Sequence, residues 1–264
     1  MAAEYPSTRA RNGVSVLLRV LRIPLSLLLF LLMWGAISRW SDLPPFMLPS
    51  PAAVGARFMR TWRDGSLLYH MGVTLSEVLS GLFVGMAVAT VMGYILAKSP
   101  LLEQILSPYI IASQAIPTVA IAPLLIIWFG PGRISKVLIS ALIVFFPILI
   151  NTILGIRSVS EDLYDLMISL RANPSQILAK LELPAALPVV LGGLKIGATL
   201  SVIGAVVGEF IGSDEGLGFL INIGRGLYDT PLVFVAVFAL IVMALGLYGA
   251  VIVIERSVLR WRTG

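Results

Sequence analysis

The stretch GGLKIGAT, Gly192 to Thr199, carries two glycines at the spacing of a phosphate-binding loop. In such a loop backbone amides and a lysine after the second glycine hold nucleotide phosphates. Ala198 stands where that lysine must be, and the stretch lies inside an apolar run, so no ATP hydrolysis is expected of this chain. No nucleophile–base constellation can be picked out, there is no cysteine, and the single histidine, His70, cannot build a metal cluster alone. His70 reads as a polar residue near a helix end. The chain is expected to have no catalytic residues, no metal and no cofactor of its own. The few ionisable residues in apolar surroundings read as isolated from one another. Glu77 receives no role, while Lys195 and Glu209 stand out, because a charge in mid-membrane costs about 2.5–3.5 kcal/mol and is a functional candidate by default. The two share a helix face but lie roughly 21 Å apart, so they cannot pair. Lys195 is expected to snorkel to the headgroups. Glu209 has two readings: a carboxylate buried against backbone amides of the Asp214–Gly218 loop, or an element of an outer gate.

These residues need elements to hold them, and the composition says which. The chain has 264 residues, 58% hydrophobic and only 12% charged, with a mean hydropathy of +0.97. Ordinary soluble domains are about 25% charged, so an all-α integral membrane protein is expected, the apolar runs being continuous rather than alternating. Windows of about 20 apolar residues occur at 23–38, 78–97, 104–132, 137–156, 187–211 and 230–254, which makes six transmembrane helices. The basic leader 1–22 resembles a signal peptide, but it lacks a convincing cleavage site and reads as retained. With the N-terminus inside, seven of the 19 Lys and Arg fall outside (Arg39, Arg57, Arg60, Arg63, Arg133, Lys136 and Arg225) and the rest inside. That bias favours an N-in, C-in orientation with a cytoplasmic tail at 255–264.

Gly204, Gly208 and Gly212 recur every four residues around Glu209, as do Gly193 and Gly197. Such ladders serve close helix packing, either static or sliding during gating. Pro117, Pro123 and Pro147 fall inside spans, as static kinks or as shapers of a cavity. Glu209, Gly208, Gly212, Pro117 and Pro123 are therefore the candidates for a translocation pathway or gate.

Between the fourth and fifth spans the chain turns polar: SLRANPSQILAKLELPAALP, Ser169 to Pro188. Two short amphipathic helices are expected over 160–184. Ser160 caps the first, with Leu163, Leu166, Met167 and Leu170 as its stripe. Asn173, Pro174 and Gln176 open the second with a capping box, and Pro184 ends it. Asp165, Arg171, Lys180 and Glu182 sum to zero charge, so docking in a protein groove fits better than lying on a lipid surface.

This segment resembles the cytoplasmic signature loop of ABC importer permeases: Glu-Ala-Ala, three residues, Gly, nine residues, then a hydrophobic residue, any residue, Leu-Pro. Asp165, Leu166 and Met167 take the Glu-Ala-Ala positions, Arg171 the Gly position, Leu181 the hydrophobic slot, and Leu183-Pro184 the end. With Arg171 in place of glycine, an ordinary turn before Asn173 is the expectation. MLPSPAAV, IPTVAIAPLLIIWFG, FFPILINTILGIRSV and VVGEFIGSDEGLGFLI are also similar, in the same order, to the nitrate/sulfonate/taurine-type branch, so the likeness covers roughly residues 45–255. The resemblance implies a type I (MetI-like) permease fold, with coupling helices at 161–183 inside a six-helix domain at 23–254. It also implies a homodimer in the bacterial inner membrane, two cytoplasmic ATPase subunits that use ATP and Mg, and an extracytoplasmic binding protein or lipoprotein. No nucleic-acid partner is expected. Asp165, Leu166, Met167, Leu170, Arg171, Ala172, Gln176, Leu181, Leu183 and Pro184 are the implied coupling residues. Within the family, LELPAALPVVLGGLKIGATLSVIGAVVGEFIG resembles permeases for heteroaromatic vitamins or precursors, riboflavin first and the thiamine pyrimidine precursor next. Sulfonate, taurine or nitrate import remains an alternative. A secondary transporter or channel is the alternative of another class, though no internal repeat or mid-depth charge cluster speaks for it.

Overall fold

The computed structural model describes residues 9–41 and 43–260, with side chains described from residue 24 onward. Eleven α-helices follow one another among these residues: α1 Arg9–Trp40, α2 Pro51–Arg63, α3 Ser66–Lys98, α4 Pro100–Ala115, α5 Thr118–Phe129, α6 Arg133–Arg157, α7 Glu161–Ser169, α8 Pro174–Ile177, α9 Leu183–Gly212, α10 Leu217–Gly226 and α11 Thr230–Val258. A π-helical turn, Leu178–Glu182, joins α8 to α9. α1 reaches back through residues 9–22 of the expected leader, and α11 runs past residue 254 into the expected tail; residues 1–8 and 261–264 lie outside the described residues.

By length and composition α3, α6, α9 with its preceding turn, and α11 can each cross a membrane, and α4 with α5 makes a fifth crossing if that bent pair is one span. The apolar part of α1, Pro24–Trp40, is shorter. The run at 104–132 is not one helix. Pro117 disfavours the α conformation at Ile116, which is extended (φ −81°, ψ 120°), and the chain bends there by 94°. Pro123 sits within α5 and Pro147 within α6 without ending either.

α3 and α6 run in the same direction, α9 runs against them, and the α4–α5 return closes the parallel pair. α6 is the middle element. A Cβ at Gly85 of α3 would lie 2.7 Å from the Ala141 carbonyl oxygen, and one at Gly93 would lie 2.7 Å from Thr152 Cβ. On the other side a Cβ at Gly193 of α9 would meet Asn151 at 2.7 Å, one at Gly204 would meet Ser140 Cα at 2.5 Å, and one at Gly208 would meet Lys136 at 3.0 Å. Small residues thus let backbones touch on both flanks of α6. The α3 stripe Gly81, Gly85, Ala89 and Gly93 has the same four-residue period as the α9 ladder. Beside this slab Trp34 of α1 stacks on Phe234 of α11 at 5.3 Å, and its indole N–H donates to the Pro49 carbonyl.

Candidate functional site

Two groups of polar side chains mark the ends of the α3–α6–α9 slab. Glu77 to Lys98 on α3 and Lys136 to Arg157 on α6 are each 21 residues, about 31 Å of helix, close to the thickness of a hydrocarbon core.

At the first end Glu209 is fully buried. Its carboxylate accepts from the Thr74 hydroxyl at 2.6 Å and from the Gly218 amide at 2.5 Å. Thr74 in turn accepts from the Leu217 amide, and His70 Nδ1 accepts from the Gly216 amide at 3.0 Å. Gly216 has φ +106°, and a side chain there would run into the Glu209 carboxylate, so the loop can close over Glu209 only with glycine. Lys136 donates to Glu77 at 2.9 Å and to the Ser213 hydroxyl at 2.6 Å, with Glu77 only 1% exposed. The sequence reading of these ionisable groups as isolated is therefore overturned: Glu77, Lys136, Thr74 and Glu209 form one buried group. Lys195 does not simply snorkel either, since it forms an ion pair with Glu255 of α11 at 2.6 Å. Gly208 lets α9 touch the Lys136 stem, and Gly212 faces Pro131.

At the second end, α7 and the turn after it carry most of their apolar side chains outward, while Ile177 of α8 is partly covered. Leu163, Leu166, Ile168, Leu170 and Leu183 are exposed, as are Asp165 and Arg171, while Met167, Ala172, Leu181 and Pro184 are partly covered. Asn173 accepts from the Gln176 amide and Gln176 reaches back to the Asn173 amide, completing the capping box. The Ser160 side chain makes no capping bond. Two further expectations need correction. Arg171 does not make an ordinary turn: its φ is +55°, the left-handed conformation natural to the glycine it replaces. Pro184 does not end the second helix, because the π turn shifts the hydrogen-bond register and brings Pro184 into the first turn of α9, where its missing N–H costs nothing.

The π turn also turns Glu182 inward, leaving it 1% exposed. Glu182 Oε1 accepts from Lys98 Nζ of α3 and from the Tyr164 hydroxyl of α7, the latter at 2.6 Å. Lys98 Nζ also contacts the Tyr164 hydroxyl at 3.2 Å and stands 4.9 Å from its ring centre. Burial, and then the bond to Glu182, hold the Tyr164 phenol above its ordinary range. Next to this group Arg157 of α6 makes a two-pronged ion pair with Glu103 of α4. None of Lys98, Tyr164, Glu103 or Arg157 was singled out as a site residue from sequence. The available signal was that Lys98 and Arg157 each close an apolar run, which reads equally well as an ordinary span end.

Residues 81–260 match the family model of the binding-protein-dependent transport system inner membrane component. The chain belongs to that family. It is an ABC importer permease subunit, the non-catalytic membrane component of such transporters. The permease is 46% identical to the riboflavin transport system permease protein RibX of Chloroflexus aurantiacus, over 99% of both chains. It is 32% identical to the formylaminopyrimidine transport permease protein ThiX of Halalkalibacterium halodurans, over 89% of this chain and 93% of that one. It is 28% identical to the taurine transport system permease protein TauC of Escherichia coli, over 89% and 88%. Its fold is like that of a chain from an inward-facing MetNI methionine ABC transporter, with TM-score 0.62 and 19% identity over 74% of this chain and 97% of that one. Family membership implies an ATPase and a substrate-binding protein as partners and makes the permease a multi-pass membrane protein.

Proposed function

We propose that this permease forms the translocation pathway of a riboflavin importer in a bacterial inner membrane. The observation that carries the substrate is the end-to-end 46% identity with a riboflavin permease. The likeness to a formylaminopyrimidine permease supports the broader class of flat heteroaromatic vitamins and precursors. In this reading the chain crosses six times with both termini inside, α1 and the bent α4–α5 pair supplying the spans beyond the four long helices, and it works as a homodimer. α7, through its exposed apolar residues, and α8 dock in a cytoplasmic ATPase dimer that uses ATP and Mg, and an extracytoplasmic binding protein or lipoprotein delivers the solute. The α4–α5 bend at Pro117 borders the pathway. Glu209 acts by fixing the loop at its outer end, because a fully buried carboxylate committed to Thr74 and Gly218 is not free to touch a solute.

The test is to reconstitute the permease with its ATPase and binding protein in liposomes and measure ATP-dependent accumulation of labelled riboflavin, with formylaminopyrimidine, taurine and an alkanesulfonate as competitors. Riboflavin uptake blocked by none of the sulfonates is the expected result. Uptake of sulfonates with no flavin uptake would overturn the substrate.

A further inference from the structure

We infer that Glu182, Lys98 and Tyr164 form a clamp that makes α7 and the inner end of α3 move as one body, which makes them positioning residues for the coupling of ATP hydrolysis to membrane movement. The inference rests on the reading of α7 and α8 as the ATPase-docking helices.

Docking helices transmit motion only if they are tied to the spans they must move. α7 is linked to α6 by the short stretch 158–160 and to α8 by the turn at Arg171, and no residue of α7 is buried. Its inward side is represented by Tyr164 and Met167, the two partly covered positions on the helix. Tyr164 is the one that makes a polar tie, and it reaches α3 and the π turn before α9 at the same time through Lys98 and Glu182. A carboxylate accepting from both an ammonium and a phenol holds three elements at one point, and such charge-assisted bonds are about twice as strong as neutral ones.

The π turn explains how Glu182 comes to be there. A continuous α-helix through Leu178–Glu182 would lack the extra residue that this turn accommodates, so the register of Glu182 against α3 depends on the turn. π turns of this kind occur often at functional sites. Lys98 is 39% exposed at its side chain, while Glu182 is 1% exposed. The cluster thus has a solvent-reachable donor and a buried hub.

The chain has no cysteine, so a pair of spin labels can be placed uniquely at Ile95→Cys on α3 and Ser169→Cys on α7, both outside the clamp. Their separation is measured by pulsed electron resonance in the permease–ATPase complex, nucleotide-free and trapped with ATP and vanadate. With the clamp intact, the distance distribution is expected to stay narrow and unshifted on trapping. In Tyr164→Phe, which keeps the ring, and in Glu182→Gln, it is expected to broaden and to shift on trapping, while Lys98→Arg, which keeps charge and donors, preserves the parent behaviour. An intact clamp whose distance shifts as much as that of Tyr164→Phe overturns the inference, as do variants that match the parent in both states. If Glu182→Gln does not fold, Tyr164→Phe alone decides. An ATPase that fails to bind the parent permease removes the docking reading instead, and the clamp is then read from the width of the distribution in the permease alone.

Discussion

The two ends of the α3–α6–α9 slab use the same chemistry, lysine against glutamate with a hydroxyl beside them, in different solvent. At one end Glu77 and Lys136 are 2% and 4% exposed at their side chains, and the hydroxyl that Lys136 meets, that of Ser213, comes from the loop that follows α9. At the other, the Lys98 and Arg157 side chains are each 39% exposed, although Glu182, the partner of Lys98, is 1% exposed, and α7 beside them turns its apolar residues outward. A buried pair holds its partners because losing one leaves an uncompensated charge. A half-exposed pair contributes little to stability but still fixes a geometry. The first end keeps both members of its pair from solvent, whereas the second leaves its cations within reach of it.

Five substitutions separate these roles. The largest effect is expected from Glu77→Ala, which leaves Lys136 buried without its carboxylate and should destabilise the fold by about 3–5 kcal/mol; thermal unfolding in detergent, followed by size exclusion, measures it. Lys136→Met in the same chain should recover much of that loss. Next comes Gly85→Val, where a side chain meets the Ala141 backbone and overpacking should cost about 1–3 kcal/mol. Arg157→Ala, at the exposed end, should cost only about 1 kcal/mol or less, and a loss equal to that of Glu77→Ala would break the contrast between the ends. A shift of similar size is expected from Lys195→Met, whose partner Glu255 is about as exposed as itself; a change under about 1 kcal/mol would place this pair with the exposed class.

The four long spans were legible because lipid demands long uncharged runs, and the capping box at Asn173 was legible because it depends on residues three apart. The buried charge group was not. Glu77, Lys136 and Glu209 stand 59 and 73 residues apart in the chain, and only the packing of three helices brings them together. The four-residue period of Gly81, Gly85, Ala89 and Gly93 was there to be read as plainly as that of the α9 ladder, yet it states only that some backbone comes close, not which. Pro117 announced a break but not its angle. Pro184 announced an end that the π turn cancels, since a register shift of one residue leaves no mark in the residue types. Arg171 misled in the opposite sense, its type arguing against a backbone conformation that the surrounding turn imposes.

Ser140 lies where the tracks on the two flanks of α6 meet. Gly81 presses on its side chain from α3, Gly204 presses on its backbone from α9, and its hydroxyl donates to the Ser201 carbonyl. A larger residue at position 140 cannot be accommodated by trimming a neighbour, because both neighbours are already the smallest residue there is. In a library of random variants, second-site suppressors should therefore be found for enlargements elsewhere along α6, but none for an enlargement here: this position has no compensating partner left to change.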